Sequence, residues 1–255
     1  MNLIHIVHPL NATQWTQPYE MYLAQELKEK ATPDILNTIA TKDNYKILDN
    51  GCYENNIVNL DNLFDVAEKI NASEIILPDV MGNFDASLRA TTDALEYATI
   101  HGYNQYHKFM AVCQGETWED YMASAQLLST FREITCIGIP KKFCRNYYSN
   151  DREAAIARSR FALEVAQMTE GKKDIHMLGL SWSVLELSSV GKVVRTCDTN
   201  NIVENVKRKN PVIASWATSG ENYSLDIPMT PEELFAVRNY AGALDKYLNN
   251  EEAVL

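Results

Sequence analysis

The sequence predicts an α/β fold, a (β/α)8 TIM barrel filling residues 1–255 as one domain, and three observations carry that expectation. Short apolar runs alternate with helical patterns almost from end to end, as parallel strands joined by right-handed crossover helices require. The length of 255 residues suits about eight such units in roughly 250 residues. No Gly-x-Gly-x-x-Gly follows a strand and no Gly-x-x-x-x-Gly-Lys-Ser/Thr occurs, so a doubly wound open sheet, the main rival, loses its nucleotide-binding versions.

Strands are expected at Leu3–Val7, Tyr45–Leu48, Glu74–Leu77, Lys108–Cys113, Ile134–Ile137, Asp174–Leu178 and Val193–Thr196, with an eighth at Pro211–Ser215. Between them the apolar residues recur at helical spacing. One stripe is Leu60, Leu63, Phe64, Ala67 and Ile70; the next is Tyr121, Met122, Ala125 and Leu128. A third runs through Ala154, Arg158, Phe161, Ala162 and Val165, and the last through Leu234, Val237, Ala241, Leu244 and Leu248. Thr230-Pro231-Glu232-Glu233 starts that last helix with a capping hydroxyl, a proline at the first position and acids in the first turn.

Composition excludes several classes. Hydrophobic residues make up 46% and charged residues 22%, the balance of a globular domain. No apolar stretch is long enough to span a bilayer. The N-terminus lacks a basic region followed by an apolar run, so a cytoplasmic location is expected. Five cysteines stand widely apart without a CxxC pair, which argues for reduced thiols in or near the core and against a zinc knuckle. His5 and His8 share the first strand and its end without a third ligand, so no metal site is expected. His176, inside a strand, reads as a satisfied core or rim histidine. The formal charge of −11 opposes a polyanionic partner unless a local basic face exists.

In such a fold the chemistry gathers at the C-terminal ends of the strands. Those ends carry Asp49-Asn50-Gly51-Cys52-Tyr53-Glu54, then Pro78-Asp79, then Gln114-Gly115. They continue with Gly138-Ile139-Pro140-Lys141-Lys142, Leu178-Gly179 and Thr196-Cys197-Asp198-Thr199. A lone strand-terminal Asp is commonly a helix N-cap, and Asp61 and Asp151 read that way. Asp49, Asp79 and Asp198 instead converge on one rim.

These motifs resemble, in order over roughly residues 45–205, those of the guanine transglycosylases that make queuosine and archaeosine in tRNA. The nearest likeness is to smaller relatives that insert 7-deazaguanines into DNA, many of them in phages. Asp49-Asn50-Gly51-Cys52-Tyr53-Glu54 is similar to the family's Asp-Ser-Gly-Gly-Phe/Tyr-Gln, and Cys113-Gln114-Gly115 to its Val-Gln-Gly. Gly138-Ile139 resembles Gly-Gly-Leu, Leu178-Gly179 resembles Met-Gly, and Thr196-Cys197-Asp198-Thr199 the nucleophile segment Phe-Asp-Cys. The family's Cys-x-Cys-x-x-Cys…His zinc subdomain, which supports tRNA docking, has no counterpart in this sequence. Cys52 replaces a glycine and Glu54 a glutamine.

The resemblance implies double displacement at C1′ of a nucleotide, with Asp198 as nucleophile and Asp49 as general acid/base, and with no cofactor. It implies Asp79 on the N1 and N2 donors of guanine, Gln114 and the amides near Gly138 and Ile139 on O6, and Gly115 and Gly179 in the pocket. Tyr53 and Leu178 would clamp the base, although both residue types also bury readily as core. Lys141, Lys142 and Arg145, with Lys207, Arg208 and Lys209, form two basic clusters near the same rim that suit phosphates, or simply face solvent. The expected partners are DNA, favoured over tRNA, and a 7-deazaguanine base. No membrane is expected, a homodimer is left open, and a phage protein would work in the host cytoplasm. Three other readings stand beside this one: the same chemistry on tRNA, a catalytically silent partner subunit, and an unrelated barrel hydrolase using the carboxylate pair on a sugar.

Overall fold

Alternation along the strands and helical stripes between them sort the apolar residues into two cores. The computed structural model describes residues 1–14, 16–52, 58–143, 148, 150–180, 186–187, 189–199, 206 and 229–248, without the side chains of residues 3, 5, 151 and 243–248. Eight parallel strands close a barrel in chain order: β1 (Asn2–Ile6), β2 (Tyr19–Leu23), β3 (Tyr45–Asp49), β4 (Glu74–Ile76), β5 (Lys108–Val112), β6 (Ile134–Pro140), β7 (Asp174–Leu178) and β8 (Thr196–Thr199). The ring shuts where Ile4 of β1 lies opposite Asp198 of β8.

Around it stand α1 (Ala24–Lys30), α2 (Pro33–Ala40), α3 (Leu60–Ile70), α4 (Phe84–His101), α5 (Trp118–Thr130), α6 (Asp151–Met168) and α7 (Pro231–Leu248). Ile4, Met21, Ile47, Ile76, Met110, Val112 and Cys136 fill the inside of the barrel as a separate cluster. Leu48, Ile75, Ile137, Ile175, Met177 and Cys197, offset by one residue, face the helices. The period of two thus decides which residues can reach the lumen.

Most expected elements form where the pattern places them, with three corrections. The strand missing from the expected set is β2, Tyr19–Leu23, and the barrel closes with it; Pro211–Ser215 lies outside the described residues. β2 escapes detection because its second residue, Glu20, is a fully buried acid, with both carboxylate oxygens 2.9 Å from Lys42 Nζ. A buried charge partnered 22 residues away breaks the apolar signal without breaking the strand. β8 runs three residues later than expected, so Asp198 lies inside the strand rather than beyond it.

The third correction concerns a cap. Asn59, not Asp61, caps α3, accepting from Asn62 N at 2.9 Å, while Asp61 accepts from the Tyr97 hydroxyl. Asn150 likewise caps α6 ahead of Asp151. The expected start of α7 holds as a reciprocal cap. Thr230 Oγ1 accepts from Glu233 N at 3.2 Å, and Thr230 N donates to Glu233 Oε2 at 2.8 Å.

The N-terminal end of the barrel is plugged by ions. Arg195 donates to Glu74 and, at 2.9 Å, to Asp174, and its guanidinium lies over the Tyr45 ring. The opposite end is where the strand-end residues gather.

Candidate active site

Two polar clusters stand at the C-terminal strand ends on opposite sides of the ring. The first is built on β8 and β7. Asp198 shares the inward parity of Thr196, since Cys197 between them packs against the helices. Its Oδ1 lies 3.0 Å from His176 Nε2 and accepts from Gly179 N at 2.8 Å. His176 is fully buried, and its Nδ1 lies 2.8 Å from Thr196 Oγ1. Oδ2 receives no hydrogen bond from any described residue, so one oxygen is anchored and the other faces away from those anchors.

The second cluster spans the ends of β3, β4 and β5, on the far side of the ring from β8. Asp79, 4% exposed, accepts from Gln114 Nε2 at 2.6 Å and from Asn50 Nδ2 at 3.3 Å. Gln114 Oε1 accepts from Gly82 N at 3.0 Å, and Asn50 also donates 2.8 Å to Leu77 O. Burial raises the Asp79 carboxyl above its usual range, and the bonds from Gln114, Asn50 and Cys52 pull the other way. Cys52 donates its thiol to Asp79 O at 3.2 Å, and burial with the Asp79 charge pushes that thiol up to about 12.

Asp49 ends β3 with the inward parity of Ile47, and its Oδ1 accepts from Gly51 N at 2.9 Å. It stands three strands round the ring from Asp198. Gly138 and Leu178 are matched pieces of the wall between the clusters. A Cβ on Gly138 would come 2.7 Å from Leu178 Cδ1, so the missing side chain is what lets Leu178 lie across β6. Ile139 is fully buried against the helices, so its side chain does not reach the mouth, and its carbonyl accepts from Arg158.

Gly115 serves the chain locally. A Cβ there would meet Asp120 Cβ at 2.5 Å, inside the reciprocal cap that Thr117 and Asp120 make at the start of α5. Gly179 has φ +67°, and the aliphatic stem of Lys141 lies against it, with Cδ 3.1 Å from where a Cβ would be. Lys141 therefore borders the Asp198 side of the rim, and Lys142 follows it. Tyr53, Arg145, Lys207, Arg208 and Lys209 lie outside the described residues.

Sequence reasoning missed the residue that holds this rim together. Arg158 of α6 is fully buried and makes four hydrogen bonds: Nη1 to Gly179 O at 2.7 Å and Glu186 Oε1 at 3.1 Å, Nη2 to Ile139 O and Leu178 O at 2.8 Å each. Its signal was an arginine on the apolar stripe of a helix, a position where a charge persists only when paired. Among the described residues no group of three or more His, Cys, Asp or Glu is placed to hold a metal ion. No described helix is long and apolar enough to cross a membrane. Comparison with protein-family models finds no match, and a search of curated proteins finds none either.

Proposed function

We propose that the chain exchanges guanine for a 7-deazaguanine in DNA through a covalent aspartyl-deoxyribosyl intermediate. The observation that carries this reading is the one-sided anchoring of Asp198 at the mouth of the barrel. A carboxylate nucleophile needs one oxygen oriented and the other open to an anomeric carbon, and a cap or a structural ion pair has no such need.

In the first step Asp198 Oδ2 bonds to C1′ and the bond from C1′ to N9 of guanine breaks. Asp49 supplies the proton that the departing base takes up. In the second step the incoming base gives its N9 proton back to Asp49 and attacks C1′. The bond from C1′ to Asp198 then breaks and the carboxylate is regenerated. The division of labour is that of a retaining glycosidase, whose two carboxylates split nucleophile and acid/base roles.

Base recognition falls to the second cluster. Gln114 spends one amide proton on Asp79 and keeps a second for O6 of the base. Each Asp79 oxygen holds a further lone pair for the N1–H and N2–H donors of guanine. Lys141 and Lys142 suit the flanking phosphates. DNA is favoured over tRNA because the zinc-binding segment that supports tRNA docking in the resembled family has no counterpart in this sequence.

The test supplies a labelled 7-deazaguanine with duplex DNA and unmodified tRNA in parallel, and with Asp198→Ala and Asp49→Ala as controls. Label entering DNA only, and lost in both variants, supports the reading. Label entering tRNA moves the substrate, and label in neither polymer sinks the transferase.

A further inference from the structure

We infer that His176 is a positioning residue that selects which oxygen of Asp198 attacks, an inference that rests on the reading of Asp198 as a nucleophile. The three side chains Thr196, His176 and Asp198 form a continuous line on the inner face of the barrel. Nδ1 of the ring is 2.8 Å from Thr196 Oγ1 and Nε2 is 3.0 Å from Asp198 Oδ1. Thr196 and His176 are both fully buried, so neither ring nitrogen can turn to bulk water.

The acceptor points to one tautomer. With Asp198 ionised and the ring neutral, the carboxylate can only accept, so the ring carries its proton on Nε2. Nδ1 is then an acceptor, and the Thr196 hydroxyl donates to it. The opposite tautomer would aim a nitrogen lone pair at a carboxylate oxygen in a site closed to bulk water. Gly179 N adds a second donor to the same Oδ1 at 2.8 Å. With both bonds on Oδ1, rotation of the carboxylate would forfeit them together, which leaves Oδ2 as the attacking atom.

Position supports a role beyond packing. The inside of the barrel is filled by Cys136, Met110, Ile4 and other apolar side chains. An imidazole inside the barrel would cost more than an aliphatic residue unless both nitrogens were satisfied. Its neighbours in register are Gly138 on β6 and Thr196 on β8, and among the described residues Asp198 is the one carboxylate bonded to it.

Three substitutions separate the two ends of the ring. Glutamine can place an amide donor where Nε2 stands and still reach Asp198. Asparagine reaches only the Thr196 end, and leucine reaches neither. We expect His176→Gln to keep base exchange within about tenfold of the parent. His176→Asn and His176→Leu should lose on the order of 10²–10³-fold in kcat, the scale of removing one oriented donor. KM for the base should stay unchanged in all three, because the base contacts the opposite cluster.

Imidazole nitrogen NMR on the unmodified chain supplies a readout independent of activity. It should show the Nε2–H tautomer for His176, with a shift in Asp198→Asn. Finding the Nδ1–H tautomer, or parental kcat in both His176→Asn and His176→Leu, would overturn the inference. The expected tautomer in a chain that exchanges no base would instead leave the Asp198 anchor standing and remove the transglycosylase reading.

Discussion

Arg158 and Asp198 never touch, yet both hold the same residue: the guanidinium donates 2.7 Å to Gly179 O, and Gly179 N donates 2.8 Å to Asp198 Oδ1. A helix on the outside of the barrel thereby holds both sides of the residue that orients a carboxylate at its mouth, since Arg158 also donates to Leu178 O in the peptide that carries the Gly179 N–H. Gly179 can take part because its φ of +67° turns N–H and C=O in opposite directions at low cost.

Replacing Arg158 by Met should be the most damaging single change at this rim. It removes four hydrogen bonds, one of them the buried ion pair with Glu186. Breaking a buried ion pair by removing one partner costs about 3–5 kcal/mol. In a chain of this size that corresponds to a fall in Tm of roughly 6–20 °C. Adding Glu186→Leu should recover part of the loss, and a thermal melt of the single and double variants decides it. A single variant that melts with the parent would show that the clamp is dispensable.

Asp79 gives a pH signature. Its folded carboxyl titrates above the ordinary 3.8, chiefly because it is buried. The folded state therefore keeps a proton that the unfolded chain has already released, and stability contributed there drains away as pH rises through that window. Asp79→Asn has no such window. The difference in Tm, variant minus parent, should move in the variant's favour as pH rises above about 3.9, the value of an unperturbed aspartate. A flat difference, or one of opposite slope, would contradict the burial argument.

Cys52 should be slow to alkylate. Its thiol is held up to about 12 by burial and by the nearby Asp79 charge, so little thiolate exists at neutral pH. Iodoacetamide at about pH 8, where an ordinary thiol near 8.5 is partly ionised, should leave the Cys52 peptide unmodified in the folded protein. Asp79→Asn should accelerate the reaction modestly, since it removes the second cause and leaves the first. Fast labelling of the parent, followed by peptide mass spectrometry, would show a solvated thiolate instead.

Two glycines should respond with opposite signs. Gly115→Ala drives a Cβ to 2.5 Å from Asp120 Cβ and 3.1 Å from the Asp120 and Tyr121 backbone. It should cost about 1–3 kcal/mol, the usual scale of overpacking. Gly242 lies in the middle of α7, and a methyl group placed there would have no described atom within 4 Å. It should gain about 0.5–1 kcal/mol as alanine. Denaturant midpoints of the two variants check both signs at once.

Much of this protein was determined by the sequence alone. Alternating runs and helical stripes carry the barrel, because burial on two faces leaves a pattern along the chain that needs no knowledge of partners. The strand-end carboxylates Asp49, Asp79 and Asp198 were legible for the same reason, since a polar residue just past an apolar run stands out. What only the tertiary structure decided are the pairings. β2 was hidden because Glu20 is neutralised by Lys42 from a distant turn. His176 gave no hint of which nitrogen faced Asp198, Gln114 none of its bond to Asp79, and Arg158 was one charge on an apolar stripe. Each of those groups is bonded to residues roughly 20 to 35 positions away in the chain. A hydrogen bond between groups so far apart in sequence follows from strand register and closure of the ring, which local propensity does not encode.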